Sequence, residues 1–292
     1  MYHIPDELPR VAGEPDDVRL VPYRNPNAAP DRNPVTLTRH VLSLVEAGEK
    51  RVYLPGQVLR NPAGHVLLLS AGRCLMSERR AGAEAYRSTL LFFDDAHLQA
   101  FLSRYAARLA YPRVPTRERR HEAFSFGSSK FFRHYYAGLA AWAAGGQPGG
   151  DVMLRLKIDE LLLYLATRFP VAFGQFVAGV ARGPAVVFHQ VVENPATQDL
   201  SLAELAFLCH MSLATFKRHF KAAYGTSPER WRHERRMQQA ARLLERPGTR
   251  PSDVFEAVGY ESLSSFGQAF RQAFGCTPSQ YQHQQLSEQM SV

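Results

Sequence analysis

The chain has little cysteine: Cys74, Cys209 and Cys276 are the three among 292 residues. Their odd number and wide spacing argue against a disulfide framework or a cysteine-rich zinc cluster and fit a reducing cytoplasm. Long hydrophobic runs are missing as well. No apolar stretch approaches the roughly 20 residues that span a bilayer, so no membrane partner is expected. The opening MYHIPDELPR lacks the basic and apolar regions of a signal peptide. Histidine pairs of the His-x-His kind are absent. His40, His65, His97, His121 and His134 are scattered, whereas an iron oxygenase needs two or three histidines and a carboxylate converging on one metal. A glycine-rich phosphate loop and a nucleophile–histidine–acid set are missing too. These absences set an enzyme aside, and the expectation is no catalytic residue, no metal and no cofactor.

Charge is unevenly placed. The net charge is +8, yet residues 186–292 hold 11 Lys and Arg against 10 Asp and Glu, while residues 1–185 hold 24 against 17. Bulk charge therefore does not point to a polyanion-binding region. Local charge says more: from Lys217 to Arg236 seven basic residues face two acidic ones, Glu229 and Glu234. A solvated helix face accounts for such a run on charge alone.

Along the chain, residues 1–35 are rich in proline and acidic residues without periodicity and read as loop or partly disordered. From about 36 to 93 the segments are short and alternating, β-branched or aromatic, as in VTLTRHVLSLV, KRVYLPG, HVLLLSAG and YRSTLLFF. Turn signals separate them, which predicts a compact β-barrel or sandwich. Helical spacing starts in DDAHLQAFLSRYAARLA, with Leu98, Phe101, Leu102, Tyr105 and Leu109 on one side. A basic loop, YPRVPTRERRHEAFSF, leads to a helix over SKFFRHYYAGLAAWAAGG. In VMLRLKIDELLLYLATRF, Ile158, Leu161, Leu162, Leu165 and Phe169 form an apolar stripe that either covers the β region or forms a dimer interface. PVAFGQFVAGVARGP reads as part helix and part linker. Gly183-Pro184 marks a boundary between residues 1–183, with strands at about 36–93 and helices at about 94–182, and a helical region at 184–292.

The helical region contains one pattern twice. SLATFKRHFKAAYGTSPERW at 212–231 returns as SLSSFGQAFRQAFGCTPSQY at 262–281. Phe216, Phe220, Tyr224, Gly225, Pro228 and Trp231 are matched by Phe266, Phe270, Phe274, Gly275, Pro278 and Tyr281. In each copy a short helix, a turn and a longer helix follow in that order, the grammar of a helix-turn-helix whose second helix enters the major groove. Ser201 with Glu204 forms a capping box, Ser227-Pro228 starts the helix between the copies, and Gly225 and Gly275 sit where helices end in the left-handed conformation. Aromatic residues every fourth position pack inward, leaving Ala214, Thr215, Lys217, Arg218 and Lys221 outward in the first copy. The second offers Leu263, Ser264, Gly267, Gln268 and Arg271. Arginine suits guanine O6 and N7, and glutamine suits adenine. The second copy thus carries phosphate positioning, shape and at most one base. Ser212, Lys221, Arg230, Arg232, Arg235, Arg236, Ser262 and Arg271 are the candidate DNA-backbone contacts. The connecting helix, about 17 residues or 26 Å long, suits two readers about one turn of DNA apart on one face.

This tandem, ending in GCTPSQY, resembles the AraC/XylS family of bacterial transcription regulators. The resemblance covers 186–285 and rests on the paired aromatic ladders, the Gly-x-x-Pro ends, Val258-Gly259-Tyr260 and the connecting helix. It implies homeodomain-like helix-turn-helix units that read bases at Ala214, Thr215, Lys217 and Arg218, and at Leu263, Ser264, Gly267 and Gln268. Upstream, GHVLLLSAGRCLMSE, YRSTLLFFDDAHLQAFLSRY and LRLKIDELLLYLA look like the regulatory half of the branch that includes type III secretion activators. That implies an N-terminal cupin-like β-barrel with dimerising helices and makes Ile158, Leu161, Leu162 and Leu165 candidates for a homodimer contact. The expected fold class is α+β in two domains, the second an all-α tandem helix-turn-helix. The expected function is a cytoplasmic, sequence-specific transcriptional regulator. It is an activator more than a repressor, architectural protein or cupin-type enzyme, with double-stranded DNA and RNA polymerase as partners. The effector, a small molecule or a regulatory protein, stays open. Two departures stand out: His210 occupies a turn position usually held by glycine, and Phe255 one usually held by alanine.

Overall fold

In a computed structural model the structure describes residues 2–8, 17–28, 31–105, 108–109, 123–146, 148–181, 188–194, 197, 199–246 and 248–289. These divide into two compact units, residues 1–213 and 214–292. The boundary expected at Gly183-Pro184 lies outside the described residues.

The first unit is built on two five-stranded sheets. One is formed by β1 (Tyr2–Ile4), β3 (Asn33–Leu37), β8 (Gly72–Arg79), β5 (Glu49–Leu54) and β6 (Gln57–Pro62), in that order. The other runs β10 (Ala123–Phe126), β7 (Val66–Leu69), β4 (His40–Ala47), β9 (Tyr86–Phe93) and β2 (Val18–Asn25). Pairing is antiparallel throughout except between β1 and β3. The second sheet is covered on both faces. Val21, Val41, Leu67, Leu69, Leu90 and Phe92 meet Val35, Leu37, Val52, Leu54, Cys74 and Met76 of the first sheet. Leu20, Leu42, Leu44, Val66, Leu68, Leu91 and Phe93 face the helices. Double coverage is why VLLL and LLFF are unbroken apolar runs, since alternation is required only where one face meets water.

The expected barrel is corrected here: hydrogen bonding keeps two separate sheets, stacked through a shared core, and among the described residues they do not close. The loop expected for residues 1–35 is overturned as well, because Val18, Leu20 and Val21 of β2 are buried and pair with β9. The prolines and acidic residues that suggested loop lie mostly to either side. The end of the basic loop, Ala123–Phe126, is a strand against β7; its earlier part lies outside the described residues.

Four helices form the third layer: α1 (Asp95–Tyr105), α2 (Lys130–Ala144), α3 (Gly150–Arg168) and α4 (Pro170–Ala181). The last is helix over the described part of a stretch expected to be part helix and part linker; residues 182–184 lie outside the described residues. Ser129 caps α2, its hydroxyl accepting from the Phe132 N–H at 3.1 Å. On α3, Ile158, Leu161, Leu162 and Leu165 are each 0% exposed within the apolar cluster that includes the second sheet. Of the two roles open to that stripe, covering the sheet is the one observed, and the same four side chains cannot also meet a second copy without unpacking the core. Asp159 on α3 accepts from Arg104 of α1 at 2.5 Å, and Arg155 reaches Asp17 beside β2 through two hydrogen bonds of 2.8 Å, so ion pairs rim the helical layer. No single described helix is long and apolar enough to cross a membrane.

Two short helices close this unit, α5 (Phe188–Glu193) and α6 (Leu202–Leu208). The guanidinium of Arg73 on β8 lies 5.3 Å from the Phe207 ring centroid, and Arg32 pairs with Glu204 at 3.1 Å. The second unit is all helix: α7 (Leu213–Tyr224), α8 (Pro228–Leu244), α9 (Pro251–Ala257), α10 (Leu263–Phe274) and α11 (Pro278–Gln289). Its division from the first falls at the start of α7.

Candidate nucleic-acid interface

The two turns have the same hydrogen bonds. In the first, Cys209, His210 and Met211 donate to the carbonyls of Leu205, Phe207 and Ala206 at 2.9, 3.0 and 2.9 Å. In the second, Val258, Gly259 and Tyr260 donate to Val254, Glu256 and Phe255 at 3.1, 3.0 and 2.9 Å. The second residue of each set has positive φ, 56° at His210 and 78° at Gly259. Histidine adopts the conformation glycine would, at a steric cost. Phe255 is half-buried and packs against the cluster formed by Met237, Leu244, Val254, Val258, Phe266 and Phe270.

The aromatic ladders repeat with similar fidelity. Phe216 to Phe220, Phe220 to Tyr224 and Phe220 to Trp231 are 5.9, 4.6 and 5.5 Å between ring centroids. The matching distances among Phe266, Phe270, Phe274 and Tyr281 are 5.7, 4.5 and 5.5 Å. Each fully buried phenylalanine contributes about 1.5–3 kcal/mol through burial, and a well-placed aromatic pair about 0.5–1.5 kcal/mol more. The ladder therefore fixes which face of each longer helix is left outward.

Ala214, Lys217, Arg218 and Lys221 are exposed on α7, with Thr215 half-buried. On α10, Leu263, Ser264, Gln268 and Arg271 are exposed, and Gly267 is half-buried. A Cβ placed on Gly267 would meet nothing within 4 Å. Packing does not require glycine there, and its effect is a gap in the outward face. Ser262 spends its hydroxyl on the helix end, accepting from the Ser265 N–H at 3.2 Å; Ser212 is exposed at the matching position.

The connecting helix α8 starts at Ser227, whose hydroxyl accepts from the Arg230 N–H at 3.2 Å, and Pro228 is its first residue. Its basic residues are held along the helix. Arg230 pairs with Glu234 at 2.9 Å, the Arg235 guanidinium sits 4.5 Å from the Trp231 ring centroid, and Arg236 lies 5.5 Å from that of Tyr260. Arg232 is half-buried. At the other end Gln282 of α11 donates to the carbonyls of Leu244 and Thr249 at 3.1 and 2.6 Å, satisfying a helix-end acceptor. One side chain outside the expected set enters the basic face: Glu229, whose carboxylate is 2.5 Å from the Lys217 ammonium. Charge sign alone marked Glu229 as an exception in a basic run, and its position at the start of α8 could have brought it next to α7.

The histidines weighed as metal ligands lie apart in function. His40 is 3% exposed, with Nε2 2.8 Å from Asp95 and Nδ1 accepting from the Ala71 N–H at 3.0 Å, so its proton belongs on Nε2. His97 faces Asp159 at 3.0 Å, and His121 lies outside the described residues. Among the described residues no three His, Cys, Asp or Glu side chains group as a metal site. Cys74 and Cys209 are buried, and burial pushes the Cys209 thiol up to about 12.

A short helix, a tight turn and a second helix with a polar outward face, given twice, define a helix-turn-helix DNA-binding protein. Comparison with known families agrees. A helix-turn-helix domain family matches residues 205–284, and the ExsA N-terminal regulatory domain family matches residues 40–169. The chain belongs to the AraC/XylS family of DNA-binding transcription regulators, in the branch that carries that N-terminal domain. Among solved structures, a DNA-binding transcriptional dual regulator from Escherichia coli K-12 is 30% identical over 34% of this chain and 89% of its own, with a TM-score of 0.31. ToxT from Vibrio cholerae strain SCE256, solved with an unsaturated fatty acid bound, is 10% identical over 93% of this chain and 97% of its own, with a TM-score of 0.39. An AraC-type regulator from Chromobacterium violaceum is 28% identical over 30% and 77%, with a TM-score of 0.28. A comparison with curated proteins gives no match.

Proposed function

We propose that this regulator is a sequence-specific activator that reads two successive major grooves, α7 entering one and α10 the next. The observation that carries this is the duplicated scaffold, with matched turns and ladders presenting two different outward faces. On α7, Arg218 and Lys217 supply guanine-seeking donors, and Thr215 supplies a hydroxyl and methyl; Ala214 allows close approach. On α10, Gln268 is the base reader, with Leu263, Ser264 and Gly267 shaping the contact. Ser212, Lys221, Arg230, Arg232, Arg235, Arg236, Ser262 and Arg271 line the phosphate backbone in this reading.

The DNA-binding domain begins at residue 184, because α6 and α7 follow in sequence the same short helix, turn and longer helix order as α9 and α10, and residues 1–183 are regulatory. Stacked antiparallel sheets support a cupin-like regulatory core, which takes its signal from a small molecule or a protein. The protein acts in the cytoplasm on double-stranded DNA, contacts RNA polymerase, catalyses nothing and needs no cofactor. Homodimerisation follows from the family resemblance, through a surface other than Ile158, Leu161, Leu162 and Leu165.

The test is a footprint of the full chain on the DNA upstream of its own gene, at two salt concentrations. Two protected major-groove patches about one turn apart, with affinity falling steeply with salt, are expected. One patch would remove α10 as a reader, and no patch would remove the proposal. Run-off transcription on the same DNA separates activator from repressor.

A further inference from the structure

Lys217 projects from the outward face of α7, and Glu229 is the second residue of α8. Their charged groups are 2.5 Å apart with side chains 46% and 52% exposed. An exposed pair of this kind adds little to stability, because water solvates both charges nearly as well. Its effect is directional. Lysine is a flexible four-carbon stem carrying a point charge, and a neighbouring carboxylate decides where that charge sits. Lys217 in turn holds the Glu229 carboxyl below the usual carboxylate range, helped by a backbone hydrogen bond.

The second copy lacks both partners together. Fifty residues on, Lys217 becomes Gly267 and Glu229 becomes Ser279, although the ladder and helix ends around them repeat. The scaffold folds in the same form without the pair, so folding does not account for it. A carboxylate on a face built to meet phosphates needs another explanation, since it repels the DNA backbone.

We propose that Glu229 is a positioning residue for base recognition: it holds the Lys217 ammonium toward one base edge and keeps it off phosphates on DNA that lacks the operator. This rests on α7 being the first DNA reader. On the operator, Lys217 donates to guanine O6 or N7 while still paired. Elsewhere, the same ammonium must leave Glu229 to reach a phosphate, so non-operator binding is penalised more than operator binding.

The test uses a cycle of four full-length proteins, the parent, Glu229→Gln, Lys217→Ala and the double variant, with Glu234→Gln as a fifth, control protein. Binding to the footprinted operator and to scrambled DNA is measured at two salt concentrations, with every operator base pair varied in turn. Glu229→Gln is expected to bind scrambled DNA about five- to tenfold tighter and to steepen its salt slope by about 1. Operator affinity changes less than about twofold, and preference relaxes at one base pair. With Lys217→Ala in place, the added Glu229→Gln change is expected to do much less, since only a general repulsion is then removed, and to leave base preference unchanged. Glu234→Gln, which removes a carboxylate paired with Arg230 on the same helix, is expected to leave base preference intact. An equal effect of Glu229→Gln with and without Lys217 would reduce Glu229 to a general charge and overturn the proposal, as would an unchanged specificity ratio. If the parent itself does not distinguish operator from scrambled DNA, the assignment of α7 falls and this role falls with it. If the parent distinguishes them and the four proteins show no coupling, the role of Glu229 alone falls.

Discussion

The two helix-turn-helix copies agree on the inside and differ on the outside. Their ring spacings match within 0.2 Å, and their turns use the same three hydrogen bonds. Outward, the first copy presents Lys217, Arg218 and Lys221, where the second has Gly267, Gln268 and Arg271. Close packing tolerates few changes inside, whereas an exposed position is free to follow whatever it binds. The difference separates two demands on one motif: both copies must fold, and in the proposed reading the first supplies most of the donors for bases.

The largest expected effect tests the inside of that comparison. Phe220→Ala and Phe270→Ala remove the central ring of each ladder, and each should destabilise the second unit by about 3–5 kcal/mol in chemical unfolding. Similar losses would sharpen the view of two equivalent scaffolds; a gap of more than about 2 kcal/mol would break it. The outside is tested next. Arg218→Ala should weaken operator binding by about 1–3 kcal/mol and relax one base preference, while Gln268→Ala should cost less than about 1 kcal/mol. Equal losses, read by titration against the operator and its single-base variants, would make α10 a full partner in reading. Smaller still, Arg235→Ala should weaken operator and scrambled DNA alike and lower the salt slope by about 1. Its guanidinium leans on the Trp231 ring, and in the proposed reading it meets phosphates rather than bases.

Local signals in the sequence carried the helical half almost unaided. Ser201 and Glu204 form both halves of the predicted capping box, Pro228 starts α8, and Gly225 and Gly275 have φ of 71° and 77°. These features depend on neighbours a few residues away, which the sequence lists in order. The regulatory half depends on partners far along the chain. β2 gains its place by pairing with β9, about 70 residues on, and nothing near Val18 announces that. The stripe on α3 was legible as a stripe, but an apolar face looks the same whether it meets a sheet or a second copy. For the candidate interface, the outward residues followed from the ladder's period. The contact of Glu229 with Lys217 depended on how α7 and α8 are joined through Gly225, which periodicity does not encode.

The smallest expected effect concerns the one place where the two turns differ in kind. His210 holds φ of 56° where Gly259 holds 78°, and a side chain in that region costs about 1–2 kcal/mol that glycine avoids. Glycine also loses more freedom on folding, so His210→Gly should stabilise the protein by no more than about 1 kcal/mol. The reverse change, Gly259→Ala, should cost about 1 kcal/mol or slightly more. Titration adds a second signature. Burial, and then the Arg73 charge, lower the pKa of His210 below its usual 6.5, and burial does the same to His40 against the pull of Asp95. Both groups bind protons more readily unfolded than folded. Their contribution is thus complete above pH 6.5 and is lost as the pH falls from there toward the folded values. Unfolding followed at several pH values should show the parent weakening in that window. His210→Gly should weaken less, because the His40 part alone remains. If the two proteins lost stability in parallel on acidification, the His210 ring would have no part in it, and the turns would differ in backbone strain alone.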